Sequence, residues 1–225
     1  MNDTLHFFFS LSIGIAAILG VIRFTKIDKS YYPFIFSVWA SLLVEIIHRL
    51  LLTGGQKNTT TVFFNIYYLV DFYLFFLLFY NWKLFGHNKK TALLIAVFML
   101  VAWVVSTLFI NSIVEPNYFF PVLYSFALVF FSVTAFNKFI VHERANIFIN
   151  ARFWICLGLI IFYTFFILTN TANLSLFNIN ADSDVSSGFR RNLQEINVFS
   201  NFLVNLLYAI AVICLPTKKN TLTLF

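Results

Sequence analysis

Apolar residues run along this chain in long unbroken blocks separated by short polar stretches, with no apolar–polar alternation inside the blocks. Blocks at 5–22, 34–52, 62–80, 92–111, 118–140, 152–170 and 196–215 each approach the roughly 20 residues that an α-helix needs to cross the hydrocarbon core. Backbone amides cannot be left unpaired there, and the missing period-two pattern sets aside a transmembrane barrel. The pattern therefore predicts an all-α polytopic membrane protein, a seven-transmembrane-helix bundle. The connections are short except for 171–195, TANLSLFNINADSDVSSGFRRNLQE, so residues 1–225 read as a single seven-helix membrane domain. The opening MNDTLH has an acid and no basic residue, unlike the start of a signal peptide, so the first block is expected to stay as a helix. In the outer connection, Ser186 or Ser187 is expected to cap a helix running through RRNLQE into the last span.

Composition agrees with the pattern. Hydrophobic residues make up 60% of the chain and charged residues 11%, against about 25% charged in soluble domains. The net charge of +6 then acquires a topological meaning. Lys and Arg near helix ends are retained on the cytoplasmic side. With the N-terminus outside and the C-terminus cytoplasmic, the inner connections hold Arg23, Lys26, Lys29, Lys83, Lys89, Lys90, Lys138, Arg144, Arg152, Lys218 and Lys219, and the outer side keeps only Arg49, Lys57, Arg190 and Arg191. That distribution accounts for the charge without a nucleic-acid partner; the expected partner is the lipid bilayer, whose inner leaflet is anionic. Cys156 and Cys214 both fall toward the inner face, which gives no disulfide framework. Tyr31, Tyr32, Tyr80, Trp82 and Tyr118 sit at block ends, where a ring with a polar tip suits the water–lipid boundary.

Against this background the polar residues inside the blocks carry the information. In LLVEIIHRLLL, Glu45, His48 and Arg49 stand at i, i+3 and i+4, on one helix face, so that the carboxylate can meet both cations. In NIYYLVDFYLFF, Asn65, Tyr68 and Asp71 form a second polar seam, and an Asp at mid-membrane costs about 2.5–3.5 kcal/mol unless it faces the bundle interior or water. The last block places Asn197, Asn201 and Asn205 at successive i+4 steps with Tyr208 continuing the stripe, and amides in lipid need partners. Measured from the outer block ends, Glu45 and Asp71 come at about 10 and 14 Å, similar depths. The sequence thus predicts one ligand-binding pocket, open to the outside, made of Glu45, His48, Arg49, Asn65, Tyr68, Asp71, Asn201, Asn205 and Tyr208. Each of these groups also has an ordinary structural use, as ion pair or interhelical hydrogen bond.

Several chemistries lack their required residues. A retinal Schiff base needs an embedded Lys, and the seventh block offers none before Lys218 and Lys219. Zinc hydrolysis needs converging ligands, but His48 is embedded, His6 lies at the outer start and His87 and His142 lie on inner connections. No H-E-x-x-H or G-x-S-x-G occurs, and no Pro-Gln pair of the kind found in sugar-transporting PQ-loop proteins. No catalytic residue, cofactor or metal is expected.

The segments Asn65-Ile66-Tyr67-Tyr68-Leu69-Val70-Asp71-Phe72 and Phe153-Trp154-Ile155-Cys156-Leu157-Gly158-Leu159-Ile160 resemble segments of small, uncharacterised seven-helix integral membrane proteins of the Bacteroidota. The resemblance implies a multi-pass protein of the bacterial inner (plasma) membrane and, as a partner, a cytoplasmic signalling protein such as a histidine kinase. The expected function is a non-enzymatic sensor or signalling accessory protein that takes a small polar ligand from outside. The alternative is a small-solute or proton-coupled transporter.

Overall fold

The computed structural model describes residues 9, 11–86, 88–110, 112–142, 147–174 and 184–217. The described residues form seven α-helices: α1 (Ile13–Arg23), α2 (Tyr32–Thr53), α3 (Lys57–Asn81), α4 (Lys89–Val104), α5 (Phe119–His142), α6 (Ala151–Thr171) and α7 (Asp184–Cys214). Short 3-10 turns, Lys29–Tyr31 and Ile147–Ile149, precede α2 and α6, and α4 runs on into a π-helical turn, Val105–Ile110. The described residues contain no β-strand beyond an isolated bridge between Ile27 and Thr217. Six of the helices are long and apolar enough to cross a membrane; α1, as far as it is described, is shorter. The predicted first block at 5–22 lies partly outside the described residues.

Asparagine and aspartate open four of these elements. Asp28 accepts from Ser30 N at 2.8 Å to open the turn before α2, Asn88 from Thr91 N at 3.3 Å at α4, Asn117 from Phe119 N and Phe120 N at α5, and Asn150 from Arg152 N at 2.9 Å at α6. Each satisfies amides that have no intrahelical partner. The tight α2–α3 turn uses Gly55 at φ +70°, a conformation that costs other residues a Cβ clash.

Helix ends differ from the hydropathy blocks where polar residues continue a hydrogen-bonded ladder. α3 begins at Lys57, five residues before its apolar block, because Lys57–Thr61 is polar yet helical. α7 begins at Asp184 and is continuous for 31 residues, about 46 Å, so the expected helix through RRNLQE exists and Ser186 and Ser187 lie within it rather than capping it.

Packing runs in a closed order: α1 against α2 and α7, α2 against α3, α3 against α5, α5 against α6, α6 against α7. α4 stands outside this ring of six, touching α3 and α5. It is the least buried of the long helices, with 17% of its apolar window inside the protein, and Leu93, Leu94, Val97 and Phe98 point outward. The largest fully buried side chains come from the ring, among them Tyr124, Tyr163, Phe34, Phe72, Phe79 and Phe120.

One end of the bundle is laced shut. Arg23, ending α1, donates to Ile213 O and, at 2.9 Å, to Leu215 O at the end of α7. Asp28 N donates to Pro216 O at 3.1 Å, Asn81 Nδ2 to Ser30 O at 3.2 Å, and Arg152 Nε to Tyr31 OH at 3.2 Å. This end also carries most of the basic residues that the charge distribution assigned to one side.

A candidate ligand pocket

The other half of the ring encloses a cavity of about 170 Å3 to which all six ring helices contribute. Its register is set by two cross-helix contacts between antiparallel α2 and α3. Ser37 Oγ donates to Asp71 Oδ1 at 3.3 Å, and Ser41 Oγ lies 2.8 Å from Tyr67 OH. Ser37, Ser41 and Glu45 follow one another at i+4 steps along α2 and so face the same way. Asp71 is 4% exposed. Its second oxygen, Oδ2, accepts a hydrogen bond from Tyr163 OH of α6. A buried carboxylate with a hydroxyl on each oxygen retains further lone pairs for a ligand.

The wall around these groups is aromatic. Tyr124 of α5 meets Tyr163 edge-on with ring centroids 5.6 Å apart, Tyr68 lies 6.0 Å from Tyr124, and Phe166 lies 5.9 Å from Tyr68. α7 adds Asn201, Val204, Asn205 and Tyr208. Tyr208 is held by close helix approach, since a Cβ added at Gly158 of α6 would come within 2.7 Å of its ring. Asn205 Nδ2 donates to Ser12 Oγ at 2.9 Å, joining α7 to the start of α1.

Of the residues singled out in the sequence, Glu45, Tyr68, Asp71, Asn201, Asn205 and Tyr208 line this one cavity. Three do not. His48 packs edge-on against Phe64, centroids 4.9 Å apart, and Arg49 is exposed one turn beyond Glu45. Asn65 is turned to another task. Its amide donates to Ile113 O and Glu115 O, both at 2.9 Å, and its oxygen accepts from Asn117 N at 3.4 Å, which pins the α4–α5 connection to α3. Beside it Asn117 Nδ2 donates to Ser106 and Thr107, each at 2.9 Å. The π-helical turn lets these two consecutive side chains face one partner.

The expected similar depth of Glu45 and Asp71 is corrected by the register. Asp71 pairs with Ser37, and Glu45 lies eight residues further along α2, about 12 Å by helical rise. The two carboxylates mark opposite ends of the cavity, Glu45 at a partly exposed end and Asp71 at a buried one. Asn197, which headed the stripe, does not line the cavity, and its side-chain oxygen is buried with no hydrogen-bond partner among the described residues. Ser37, Ser41, Tyr67, Tyr124 and Tyr163 are the contributors that the polar pattern overlooked; the i, i+4, i+8 spacing of Ser37, Ser41 and Glu45 carried a signal for the first two.

Among the described residues no three His, Cys, Asp or Glu side chains group to hold a metal ion. No family profile matches the chain, and neither a curated protein nor a solved structure matches it.

Proposed function

We propose that this chain is a non-enzymatic sensor or signalling accessory protein of the bacterial inner membrane, which binds a small organic cation in the α2–α3–α6–α7 cavity and passes its occupancy to a cytoplasmic partner such as a histidine kinase. The lining carries the reading. Two carboxylates, Glu45 and Asp71, stand among five tyrosines, Tyr67, Tyr68, Tyr124, Tyr163 and Tyr208, with no Lys, Arg or His among the described lining residues. Carboxylates neutralise a cation, and aromatic faces attract one through their negative quadrupole. The volume suits a small ligand, since a cavity of about 150 Å3 holds benzene. The laced basic end favours reception over passage, because a solute leaving the cavity by that end would have to break the Arg23 clasp.

The full chain in detergent, titrated with tetramethylammonium and longer alkylammonium ions, is expected to show a saturable rise in Tm. Asp71→Asn should weaken that response at least about ten-fold, the cost of losing a charge-assisted contact. An equal response in wild type and Asp71→Asn would sink the cation pocket.

The buried carboxylate within a closed ring favours one second reading, a small-solute or proton-coupled transporter. Saturable flux into proteoliposomes that Asp71→Asn abolishes would establish it over the sensor. The proposed orientation, N-terminus outside, rests on the basic-residue distribution. Cysteine placed at Gly54 is expected to react with an impermeant thiol reagent added outside, and cysteine at Asn88 is not; the reverse pattern would invert the topology and turn the cavity toward the cytoplasm.

A further inference from the structure

A second cavity, about 260 Å3, lies at the basic end between the α3 C-terminus, the end of α5 and the start of α6. Its lining divides by chemistry. Phe136, Phe139, Leu84 and Cys156 make an apolar floor, while Lys138, Arg152 and Trp82 make a polar side, and no acidic residue lines it among the described residues. The Arg152 guanidinium lies 5.6 Å from the centroid of the Trp82 ring, and Lys138 Nζ donates to Lys83 O at 3.4 Å. The two side chains are thereby held over the same cavity from antiparallel helices. The Trp82 indole N–H is buried and has no hydrogen-bond acceptor among the described residues. A buried donor without an acceptor is costly.

The height of these groups fixes what meets them. Trp82 follows directly on the apolar span that ends at Asn81, Lys138 falls in the last turn of the span ending at Ile140, and Arg152 falls in the first turn of the span beginning at Ala151. All three therefore stand where hydrocarbon gives way to headgroups, with the apolar floor beside them. We propose that this cavity is a binding site for an anionic phospholipid, its phosphate held by Lys138, Arg152 and the Trp82 N–H and an acyl chain lying along Phe136 and Phe139. Basic clefts between membrane helices suit lipid phosphates, and each cation near the membrane surface strengthens the attraction. A free phosphate shares the headgroup chemistry but leaves the apolar floor uncovered.

The test uses the full chain in phosphatidylcholine vesicles, with brominated phosphatidylglycerol or brominated phosphatidylcholine as quencher of tryptophan fluorescence. Wild type is expected to be quenched by brominated phosphatidylglycerol at a lower mole fraction than by brominated phosphatidylcholine, and Trp82→Phe should remove that selective component. Lys138→Gln and Arg152→Gln should each raise the half-quenching mole fraction of phosphatidylglycerol about five-fold. Ala135 of α5 also lines the cavity; Ala135→Leu narrows it without changing charge and should abolish the selectivity, so the outcome does not depend on the Arg152 variant folding. Equal quenching by the two lipids in wild type would overturn the site, as would selectivity surviving Ala135→Leu and both charge variants. If millimolar inorganic phosphate displaces the quenching lipid completely, the occupant is a free phosphate and the lipid assignment fails.

Discussion

The two ends of the bundle hold their helices together by different means. At the basic end most of the bonds join ring neighbours through main-chain carbonyls, Arg23 to the end of α7, Asp28 N to Pro216 O and Asn81 to Ser30 O, with one side-chain bond from Arg152 to Tyr31 OH. These close α1, α3 and α7 into one collar. In the opposite half the corresponding anchoring is local, with Asn65 and Asn117 binding only α3, α4 and the start of α5. Across the cavity the helices are joined side chain to side chain, Ser37 and Tyr163 on Asp71, Ser41 on Tyr67, Asn205 on Ser12. A side chain can change rotamer without disturbing a helix, whereas breaking a carbonyl clasp at a helix end exposes main chain to hydrocarbon or water. The basic end is thereby the more rigid and the cavity half the more adaptable, a division that suits the receptor pocket proposed above.

The largest expected effect tests whether the local anchor matters as much as the collar. Asn65→Ala leaves Ile113 O, Glu115 O and Asn117 N without their partner at a site 2% exposed, and at about 1–3 kcal/mol for an unsatisfied group it should cost about 3 kcal/mol. Reversible unfolding in mixed micelles measures this, and a loss below about 1 kcal/mol would show the anchor to be dispensable. Next comes Arg23→Ala, which removes both carbonyl contacts of the clasp and should cost about 2 kcal/mol. Alkylammonium binding should survive it, because the cavity is in the other half; lost binding with an intact fold would break the proposed division. The smallest effect is Tyr163→Phe, which removes one hydroxyl from Asp71 and should cost about 1 kcal/mol in wild type. In an Asp71→Asn background its effect should differ by at least about 0.5 kcal/mol, since contacting residues couple. Simple additivity would mean that the Tyr163 contact contributes nothing of its own.

What was legible in the sequence depended on the range of the interaction. Helices long enough to cross the membrane show in hydropathy alone, and Asp71, Glu45 and the Asn201–Asn205–Tyr208 stripe stood out because polar groups among apolar neighbours require an interior. Their shared cavity follows from helical phase. Asn65 shares that phase, yet its partners are carbonyls of a connection 48 and 50 residues away, a tertiary fact that periodicity does not encode. Tyr163 was hidden for the opposite reason: in FYTFF it is one aromatic among several, and only the carboxylate opposite distinguishes it. Hydropathy misplaces Glu45 in depth because it locates only the apolar stretch, whereas the register of α2 on α3 also depends on the polar helical turn Lys57–Thr61. His48 and Arg49 lie on the Glu45 face, but one turn further on Phe64 meets the His48 ring and Arg49 is left exposed.

The clasp between Arg23 and the end of α7 also sets a timetable for synthesis. Its carbonyl acceptors lie 190 and 192 residues after the arginine, so at about 5–20 residues per second the ribosome takes roughly 10–40 s to supply them. Through nearly all of that interval α1 is in the translocon or the bilayer without its main neighbour, and Asn201, Asn205 and Tyr208 are made only in its last seconds. Ring closure is therefore the final assembly step, and the cavity comes into being only when the last helix is released to meet the first.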